Sequence, residues 1–317
     1  MSDTNHQMKA VRIHQFGDSN VLVHESATRP EAQLGEVLIR AHAAGINPVD
    51  WKTRKGQGVA GHMPPFPIIL GWDVSGTIAA LGAGVNDFRV GDDVFGMIRF
   101  PKMGSAYAEY VSSPADHVAL KPKSLDHVQA AAVPLAALTA WQALVGVADL
   151  QAGQRVLIHA AAGGVGHFAV QLAKSIGAFV TGTASPHNLQ FVRDLGADEV
   201  FDYTSGPFEK TLRDFDVVLD TYGGEVAARS YQVMKKGGIL VSILGGGNKG
   251  LASGMGLRSE SILVKPEKKQ LSQIADLIDK GKIRPFIQSS FPLAQAKKAH
   301  EISQEGHVRG KIVLSIP

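Results

Sequence analysis

The chain has 317 residues, of which 44% are hydrophobic and 19% charged, and its formal net charge is +3. This length allows two domains, and the composition is that of a folded α/β protein, which excludes disordered and fibrous classes. Because acids nearly match the scattered lysines and arginines, we expect no nucleic-acid partner.

The N-terminal segment, MSDTNHQMKAV, lacks a basic flank leading into an apolar run, so we predict no targeting segment. No stretch of the sequence approaches the roughly 18 apolar residues of a membrane span. We therefore expect a cytoplasmic protein with no membrane span.

The first 123 residues predict a β-rich, barrel-like domain. Short apolar runs at 9–13 and 21–24 flank a turn, and residues 36–43 alternate so that Val37, Ile39 and Ala41 share one face. The same texture continues at 74–81, 93–97 and 107–111.

From residue 124 the texture changes to alternating helices and strands. Residues 126–147 are rich in alanine and leucine, and 164–177 carry apolar residues at helical spacing. Strand candidates lie at 155–159, 179–183, 199–201, 217–219 and 239–243. This alternation predicts a parallel, doubly wound sheet.

The last part of the chain predicts four further segments. The glycine-rich stretch 245–256 predicts a mobile loop, and residues 262–264 another strand. Residues 267–280 predict a helix that ends at Gly281, and KIVLSIP a final strand.

The stretch IHAAAGGVGHFAVQ (158–171) is the strongest motif, because it lies between a predicted strand and a predicted helix. Ala161 stands where a dinucleotide-binding loop usually has its first glycine, and Gly163 and Gly166 follow. Gly163 would let the backbone approach a pyrophosphate, and Gly166 would let the helix pack on the sheet. The alternative is a glycine-rich turn that binds nothing.

The turn after the second strand of this region indicates which cofactor binds. An acid about 20 residues after the loop would hold the ribose hydroxyls of NAD, but residues 183–188 read TASPHN and contain no carboxylate. Ser185, His187 and Asn188 could donate hydrogen bonds to a 2′-phosphate, so we predict NADPH. No arginine is present to clamp the phosphate, and the alternative is an ordinary turn that opens a helix at Pro186.

Six motifs follow one another along the chain: INPVDWKTRKG (46–56), LGWDVSGTIAALG (70–82), VGDDVFG (90–96), PLAALTAWQAL (134–144), AAAGGVG (160–166) and GKIVL (310–314). Together they resemble the medium-chain dehydrogenase/reductase superfamily. Within it, the chain is most similar to the zinc-free quinone oxidoreductase or zeta-crystallin branch, near the chloroplast quinone oxidoreductase homologue and the alkenal reductases. The resemblance covers essentially the whole chain.

The resemblance implies an α/β fold with a GroES-like β-barrel catalytic domain, residues 1–123 and 266–317, and an inserted doubly wound Rossmann domain, residues 124–265. It places the active site in the cleft between them. It also implies a homodimer formed through the Rossmann domain, for which residues 262–264 are the expected pairing strand.

The resemblance also assigns cofactor contacts, from the nicotinamide end to the adenosine end. The segment that starts at Asn47 would face the nicotinamide, the 163–166 loop would hold the pyrophosphate, and Lys311 is an alternative to Arg309 in closing over the cofactor. The assigned positions are Asn47, Lys52, Thr139, Gly163, Gly164, Val165, Gly166, Ala184, Ser185, Asn188, Tyr203, Ser242, Leu244, Gly245 and Arg309.

Two departures from the family pattern affect these expectations. Lys52 stands where the quinone-reductase branch often has a tyrosine, which leaves the proton donor open. The loop after Ser242 is abbreviated, so contacts beyond Gly246 are not assigned.

We expect no metal site. The sequence has no cysteine, its 12 histidines do not cluster at ligand spacing, and Gly71-Trp72-Asp73 replaces the Gly-His-Glu of zinc-dependent relatives. Without a Lewis acid the hydride acceptor should already be electron-poor, such as a quinone or the β-carbon of an enone or enal.

The protein would then orient the reactants and stabilise the developing oxyanion. The candidate catalytic donors are Lys52, Asn47 and Tyr107, together with a water. Each has an ordinary structural alternative: Lys52 could contact cofactor phosphate or solvent, Asn47 could belong to a turn, and Tyr107 could be core. A different function class is a non-catalytic nucleotide-binding protein, crystallin-like or RNA-binding.

Overall fold

The computed structural model describes residues 6–245 and 247–317, so residues 1–5, on which the targeting prediction partly depends, lie outside it. The described chain divides into two compact units. The first comprises residues 6–138, Lys265–Lys280 and Pro285–Pro317, and the second Thr139–Val264 and Gly281–Arg284.

The secondary structure follows the chain in this order. The strands are β1 Gln7–Ile13, β2 Val23–Thr28, β3 Glu36–Ile46, β4 Ile68–Ile69, β5 Asp73–Leu81, β6 Asp93–Met97, β7 Tyr110–Pro114, β8 Val118–Leu120, β9 Arg155–Ile158, β10 Phe179–Ala184, β11 Glu199–Asp202, β12 Phe215–Asp220, β13 Met234–Ser242, β14 Arg258–Ser261, β15 Ile287–Pro292 and β16 Lys311–Ser315. The helices are α1 Pro48–Arg54, α2 His127–Ala131, α3 Pro134–Trp141, α4 Gly166–Ile176, α5 Leu189–Asp194, α6 Gly224–Ser230, α7 Lys249–Gly254, α8 Lys268–Asp279 and α9 Ala296–Glu305.

Two β-sheets form the first unit. The larger has the order β15-β16-β3-β5-β6-β8, with β7 also paired to β3, and the smaller has the order β2-β1-β4. Strand β3 is the longest of the larger sheet, and it pairs antiparallel with β16, β5 and β7. The apolar residues of these strands form one buried core cluster, as the alternating pattern predicts.

Helix α2 packs against the first unit, whereas the sequence-based boundary assigned residues 124–138 to the second domain. A Cβ on Gly45 of β3 would lie 2.3 Å from the carbonyl oxygen of Ala131, so the helix backbone lies directly on the strand. His127 Nδ1 is 2.8 Å from Ser75 Oγ of β5. Because of this packing, helix α2 belongs to the first unit, together with strands β3 and β5.

The second unit is built on a six-stranded parallel sheet with the order β11-β10-β9-β12-β13-β14. Helix α4 follows β9 and ends at Gly177, whose φ of 93° provides a left-handed C-cap that glycine adopts at little cost. The predicted alternation of strands and helices is therefore confirmed.

Two predictions in the last third of the chain were wrong. The edge strand is β14, Arg258–Ser261, and not residues 262–264. The stretch 245–256 is not all loop, because it contains α7, whose first turn is capped by the Asn248 side chain accepting from the backbone of Leu251. Gly246 lies outside the described residues.

No helix in the described part of the chain is long and apolar enough to cross a membrane.

Candidate functional site

In the first unit, a cluster of buried polar residues is built around Asn47. Strand β3 ends at Ile46, and Asn47 then caps α1, in which Pro48 occupies the first position and Asp50 the third. The backbone N–H of Asn47 donates to Asp50 Oδ2 at 2.8 Å. Asn-Pro-x-Asp is thus a helix start, a local signal that sequence analysis did not use.

The amide of Asn47 is held in one orientation by two charged side chains. Its Nδ2 donates to Asp73 Oδ2 at 2.9 Å, and its Oδ1 accepts from Lys311 Nζ. An ammonium can only donate and a carboxylate can only accept, so the opposite amide orientation is excluded. Lys311 also donates to the carbonyl oxygen of Ile46 at 2.9 Å.

Asp73 and Lys311 form a buried ion pair, with Oδ2 and Nζ 3.8 Å apart and side chains 0% and 3% exposed. The other carboxylate oxygen of Asp73 accepts from the backbone of Leu135 at 2.8 Å. Burial raises the pKa of Asp73 to about 6, and burial also lowers the pKa of Lys311. Lys311 therefore belongs to this cluster, and its closing over a cofactor stays a prediction.

Tyr107 is completely buried in the core of the first unit. Its hydroxyl donates to Asp50 Oδ2 at 2.6 Å and lies 3.1 Å from His300 Nε2 of α9. Burial is the main cause that raises the pKa of Tyr107 well above its ordinary value. Its contacts make the phenol part of the internal cluster. Sequence analysis missed His300 because its partners are distant in the chain, and it missed Asp50 because the local Asn-Pro-x-Asp signal was not used.

Lys52 and Arg309, both half-buried, are the other site predictions in the first unit. Lys52 Nζ is 5.6 Å from the centre of the Trp51 ring, and Lys55 Nζ is at the same distance. The backbone of Arg309 donates to Gln288 Oε1 at 2.7 Å. The structure thus brings Asn47 and Tyr107 together through Asp50, while Lys52 lies beside Trp51 and the backbone of Arg309 beside Gln288.

In the second unit, the loop between β9 and α4 has the features of a phosphate-binding turn. A Cβ on Gly166 would lie 2.3 Å from the carbonyl oxygen of Ala160, so only glycine fits where the helix begins. Gly163, Gly164 and Val165 are partly exposed. The residue with positive φ is Ala160, at 46°, so Ala161 is free of the strain that its position in the motif suggested.

The predicted ribose-phosphate turn follows the end of β10. Asn188 Nδ2 donates to Ser185 Oγ at 3.1 Å, and Pro186–Asn188 form a short 3-10 turn. The backbone of Tyr203, after β11, donates to the carbonyl oxygen of Ala184 at 3.3 Å, and the side chain of Tyr203 is 49% exposed. Ala184, Ser185, Asn188 and Tyr203 therefore lie together at the carboxyl edge of the sheet.

Asp220, at the end of β12, organises the neighbouring loops and was missed by sequence analysis. Its Oδ2 accepts from Ser242 Oγ at 2.8 Å, and its Oδ1 accepts from the backbone of Gly223 at 2.7 Å. The backbone of Leu244 donates to Ser242 Oγ at 3.3 Å, and Gly245 follows with a φ of 75°. The sequence signal that could have identified Asp220 is an acid at the end of an apolar strand, in Val217-Val218-Leu219-Asp220.

His159 is a second missed residue, buried directly before the glycine-rich loop between β9 and α4. Its ring contacts Thr183 Oγ1 at 3.3 Å and Ser230 Oγ at 2.9 Å, and its carbonyl oxygen accepts from Thr221 Oγ1. Ser230 Oγ donates to the carbonyl oxygen of Val226, so the His159 nitrogen must donate to Ser230. Burial lowers the pKa of His159 to about 4, which makes it a neutral brace for the loop.

Thr139, the remaining predicted contact of this unit, is 4% exposed on α3. For metals, residues 6–245 and 247–317 contain no group of three or more histidine, aspartate or glutamate side chains that could hold an ion.

Comparisons with known proteins now identify the family. Residues 33–123 match the family described as alcohol dehydrogenase GroES-like domain, and residues 195–314 match that described as zinc-binding dehydrogenase. The chain is 37% identical to the mitochondrial NAD(P)H oxidoreductase RTN4IP1 of Danio rerio, covering 98% of this chain and 91% of the relative. It is 34% identical to the chloroplastic NADPH-dependent alkenal/one oxidoreductase of Arabidopsis thaliana, covering 97% and 79%.

A solved structure of a quinone oxidoreductase is similar to this chain in both sequence and fold. The quinone oxidoreductase from Coxiella burnetii is 38% identical, with a TM-score of 0.90 over 98% of this chain and 100% of that one. The predicted fold class, a GroES-like domain with a Rossmann domain, is confirmed. The chain belongs to the medium-chain dehydrogenase/reductase superfamily, in the branch of the quinone oxidoreductases and alkenal oxidoreductases.

Proposed function

We propose that the protein is an NADPH-dependent, metal-free reductase that transfers hydride to a quinone or to the β-carbon of an α,β-unsaturated carbonyl. The observation that carries this proposal is the pair of features at the carboxyl edge of the parallel sheet. These are the glycine-dependent loop before α4 and the acid-free turn after β10. The names of the relatives support the coarser reading, an NAD(P)H oxidoreductase.

The residues of the second unit fit a dinucleotide. The turn at Gly166 has no room for a side chain. Gly163, whose own N–H donates to the carbonyl oxygen of Ala160, and Gly164 are partly exposed, so a pyrophosphate could approach the backbone of this loop. Ser185 and Asn188 would hold the 2′-phosphate, and Tyr203 would contact the adenine side. When bound, the cofactor would supply the hydride.

The chain's own task would be to stabilise the negative charge that develops on the substrate oxygen. Asn47 and Lys52 are the donors we propose for it. The amide of Asn47 accepts from an ammonium, which polarises the amide and strengthens its remaining N–H as a donor. Tyr107 would act indirectly, because its hydroxyl is already occupied by Asp50.

Oxidation of NADPH in the presence of a 1,4-naphthoquinone or a 2-alkenal tests the proposal. We expect turnover of at least one acceptor, with NADPH preferred over NADH and with activity retained after treatment with a chelator. Turnover of neither acceptor, with NADPH binding intact, would contradict the proposed reaction. The ratio of the two rates would identify the substrate class.

We further propose a homodimer, formed by antiparallel pairing of β14, the edge strand of the parallel sheet, with its copy. The size of the protein in solution, measured for the wild type and for Ser259→Pro, would test it. The expectation of a cytoplasmic protein stays a prediction, since two of its relatives are named as mitochondrial and chloroplastic proteins.

A further inference from the structure

One buried acid, Asp50, has no part in the proposed chemistry. The residue is 0% exposed on α1, and its Oδ2 accepts from both the backbone of Asn47 and the hydroxyl of Tyr107. Its other oxygen, Oδ1, has no hydrogen-bond partner among the described residues. A buried carboxylate oxygen without a partner is costly, so this atom requires an explanation.

The hydrogen bonds behind Tyr107 all run in one direction. Arg54 can only donate, so His300 Nδ1, 3.2 Å from Arg54 Nη1, must accept, and the ring proton lies on Nε2. Nε2 then donates to the Tyr107 hydroxyl, which in turn donates to Asp50 Oδ2. Burial lowers the pKa of His300 to about 3, consistent with this neutral ring.

This direction determines where a proton on Asp50 would lie. Oδ2 already receives two donors, the backbone of Asn47 and the hydroxyl of Tyr107, so it cannot carry a proton of its own. A proton on Asp50 must therefore be on Oδ1. Burial raises the pKa of Asp50 to about 7, against the lowering effects of these hydrogen bonds and of Lys311.

The charges around Asp50 then add up in two ways. The charged groups that act on Asp50 are Lys311 of β16 and Asp73 of β5, while Tyr107 donates to Asp50, and His300 and Arg54 lie behind Tyr107. Tyr107 and His300 are neutral, and the charges of Lys311 and Asp73 cancel. The charge of Arg54 acts on Asp18 and Glu301 instead. The cluster is thus neutral when Asp50 is protonated and singly negative when Asp50 is ionised.

We propose that Asp50 is a positioning residue of the reductase site, whose proton on Oδ1 keeps the cluster around Asn47 free of a net negative charge while the substrate oxyanion forms. The proposal rests on the proposed function, because it assigns the oxyanion to the neighbourhood of Asn47. Ionised Asp50 opposes the developing negative charge, and protonated Asp50 does not. The charge on Asp50 acts on the oxyanion that forms in the transition state, so its ionisation should change kcat more than KM.

The pH dependence of kcat, measured from about pH 5.5 to about pH 9, tests the proposal. The wild type should show an alkaline limb over which kcat falls and then levels off once Asp50 is ionised, with its midpoint near the pKa of Asp50. Asp50→Asn keeps an oxygen for both donors and imitates the protonated acid, so this limb should disappear. Asp276→Asn, an exposed site on α8, is the matched control and should keep the wild-type profile.

Tyr107→Phe is the second variant, in case Asp50→Asn does not fold. It removes a hydrogen bond that lowers the pKa of Asp50, so the alkaline limb should move to higher pH. A merely structural role for Asp50 would lower kcat by the same factor at every pH. An unchanged limb in both variants would overturn the proposal.

Infrared titration of the carboxylic acid C=O stretch separates the two proposals, because it needs no substrate. A protonated-acid band that disappears between about pH 6 and about pH 8 and is missing from Asp50→Asn would place the proton on Asp50. Such a band in a protein that reduces neither acceptor would refute the proposed function alone. Absence of the band in an active wild type would refute the role of Asp50.

Discussion

Ala161, in the loop after β9, and Gly182, in β10, are matched in size: a Cβ on Gly182 would lie 2.8 Å from the Cβ of Ala161. The methyl group of Ala161 is fully buried, and the backbone of Ala161 donates to the carbonyl oxygen of Thr183 at 2.9 Å. The space that the usual first glycine would leave in the loop is thus filled by alanine, and the glycine is on the neighbouring strand. This pairing explains how the loop tolerates alanine.

Gly182→Ala should therefore destabilise the second unit. The new methyl group would collide with Ala161 Cβ and with Val192 Cγ1, also at 2.8 Å, and such overpacking costs about 1–3 kcal/mol. The double variant Ala161→Gly, Gly182→Ala relieves one collision and should recover part of the loss. Denaturant unfolding of the wild type, both single variants and the double variant would measure this. Strict additivity of the two changes would contradict the pairing.

The fold could be predicted from the sequence where apolar residues recur at regular spacing and where glycines mark the ends of the elements. Strand β6 and helix α4 were found nearly to the residue, because their apolar spacing and flanking glycines are unambiguous. Strand β14 was missed, since Arg258–Ser261 is polar and becomes a strand only by pairing with β13. Helix α7 was not predicted because its glycines are typical of a loop. The signal for its start is Asn248, whose side chain caps the first turn.

The candidate site was predictable only in part, because some of its contacts are local in sequence and others are not. The phosphate loop and the turn after β10 are local, and their residues could be named from spacing alone. The cluster around Asn47 joins residues up to 264 positions apart, as between Asn47 and Lys311. Only the contact between Asn47 and Asp50 has a local signal, the helix start Asn-Pro-x-Asp. Nothing in the order of the residues indicates that Tyr107, His300 and Lys311 join them, so these contacts were found only in the structure.

Ser185→Asp should change the cofactor preference. A carboxylate at the end of β10 would repel a 2′-phosphate and accept hydrogen bonds from ribose hydroxyls, as in NAD-specific enzymes. We expect kcat/KM for NADPH to fall by about tenfold to a hundredfold while that for NADH holds or rises, a shift typical of one like-charge contact. Steady-state kinetics with both cofactors would measure it. Ser205→Asp, after β11, is the control, and an equal loss for both cofactors would contradict the assignment.

Lys52 and Lys55 provide a matched pair for testing the proposed donor. Both ammonium groups lie 5.6 Å from the Trp51 ring centre, so substituting either removes a similar surface contact. Lys52→Met should lower kcat by about tenfold or more, as expected when an oxyanion donor is lost, whereas Lys55→Met should have little effect. Equal effects of the two substitutions would assign Lys52 to the surface around Trp51 instead. Single-turnover hydride transfer would separate chemistry from product release.

His159 should make the stability of the second unit depend on pH. Burial lowers the pKa of His159 to about 4 from its ordinary 6.5, so the unfolded chain binds more protons than the folded protein between these values. The free energy of unfolding should therefore fall as the pH falls through this window, by about 3 kcal/mol in total at about 1.4 kcal/mol per pKa unit. Above about pH 6.5 the contribution is constant.

His159→Gln isolates this contribution, because glutamine can still donate to Ser230 Oγ but does not titrate. The variant should be less stable than the wild type at neutral pH, and the difference should shrink as the pH falls towards about 4.5. His24→Gln, at an exposed site, serves as the control and should follow the wild type throughout. Denaturant unfolding at a series of pH values provides the measurement. A difference that stays constant with pH would mean that His159 titrates alike in the folded and the unfolded protein, which would contradict its being held neutral by burial.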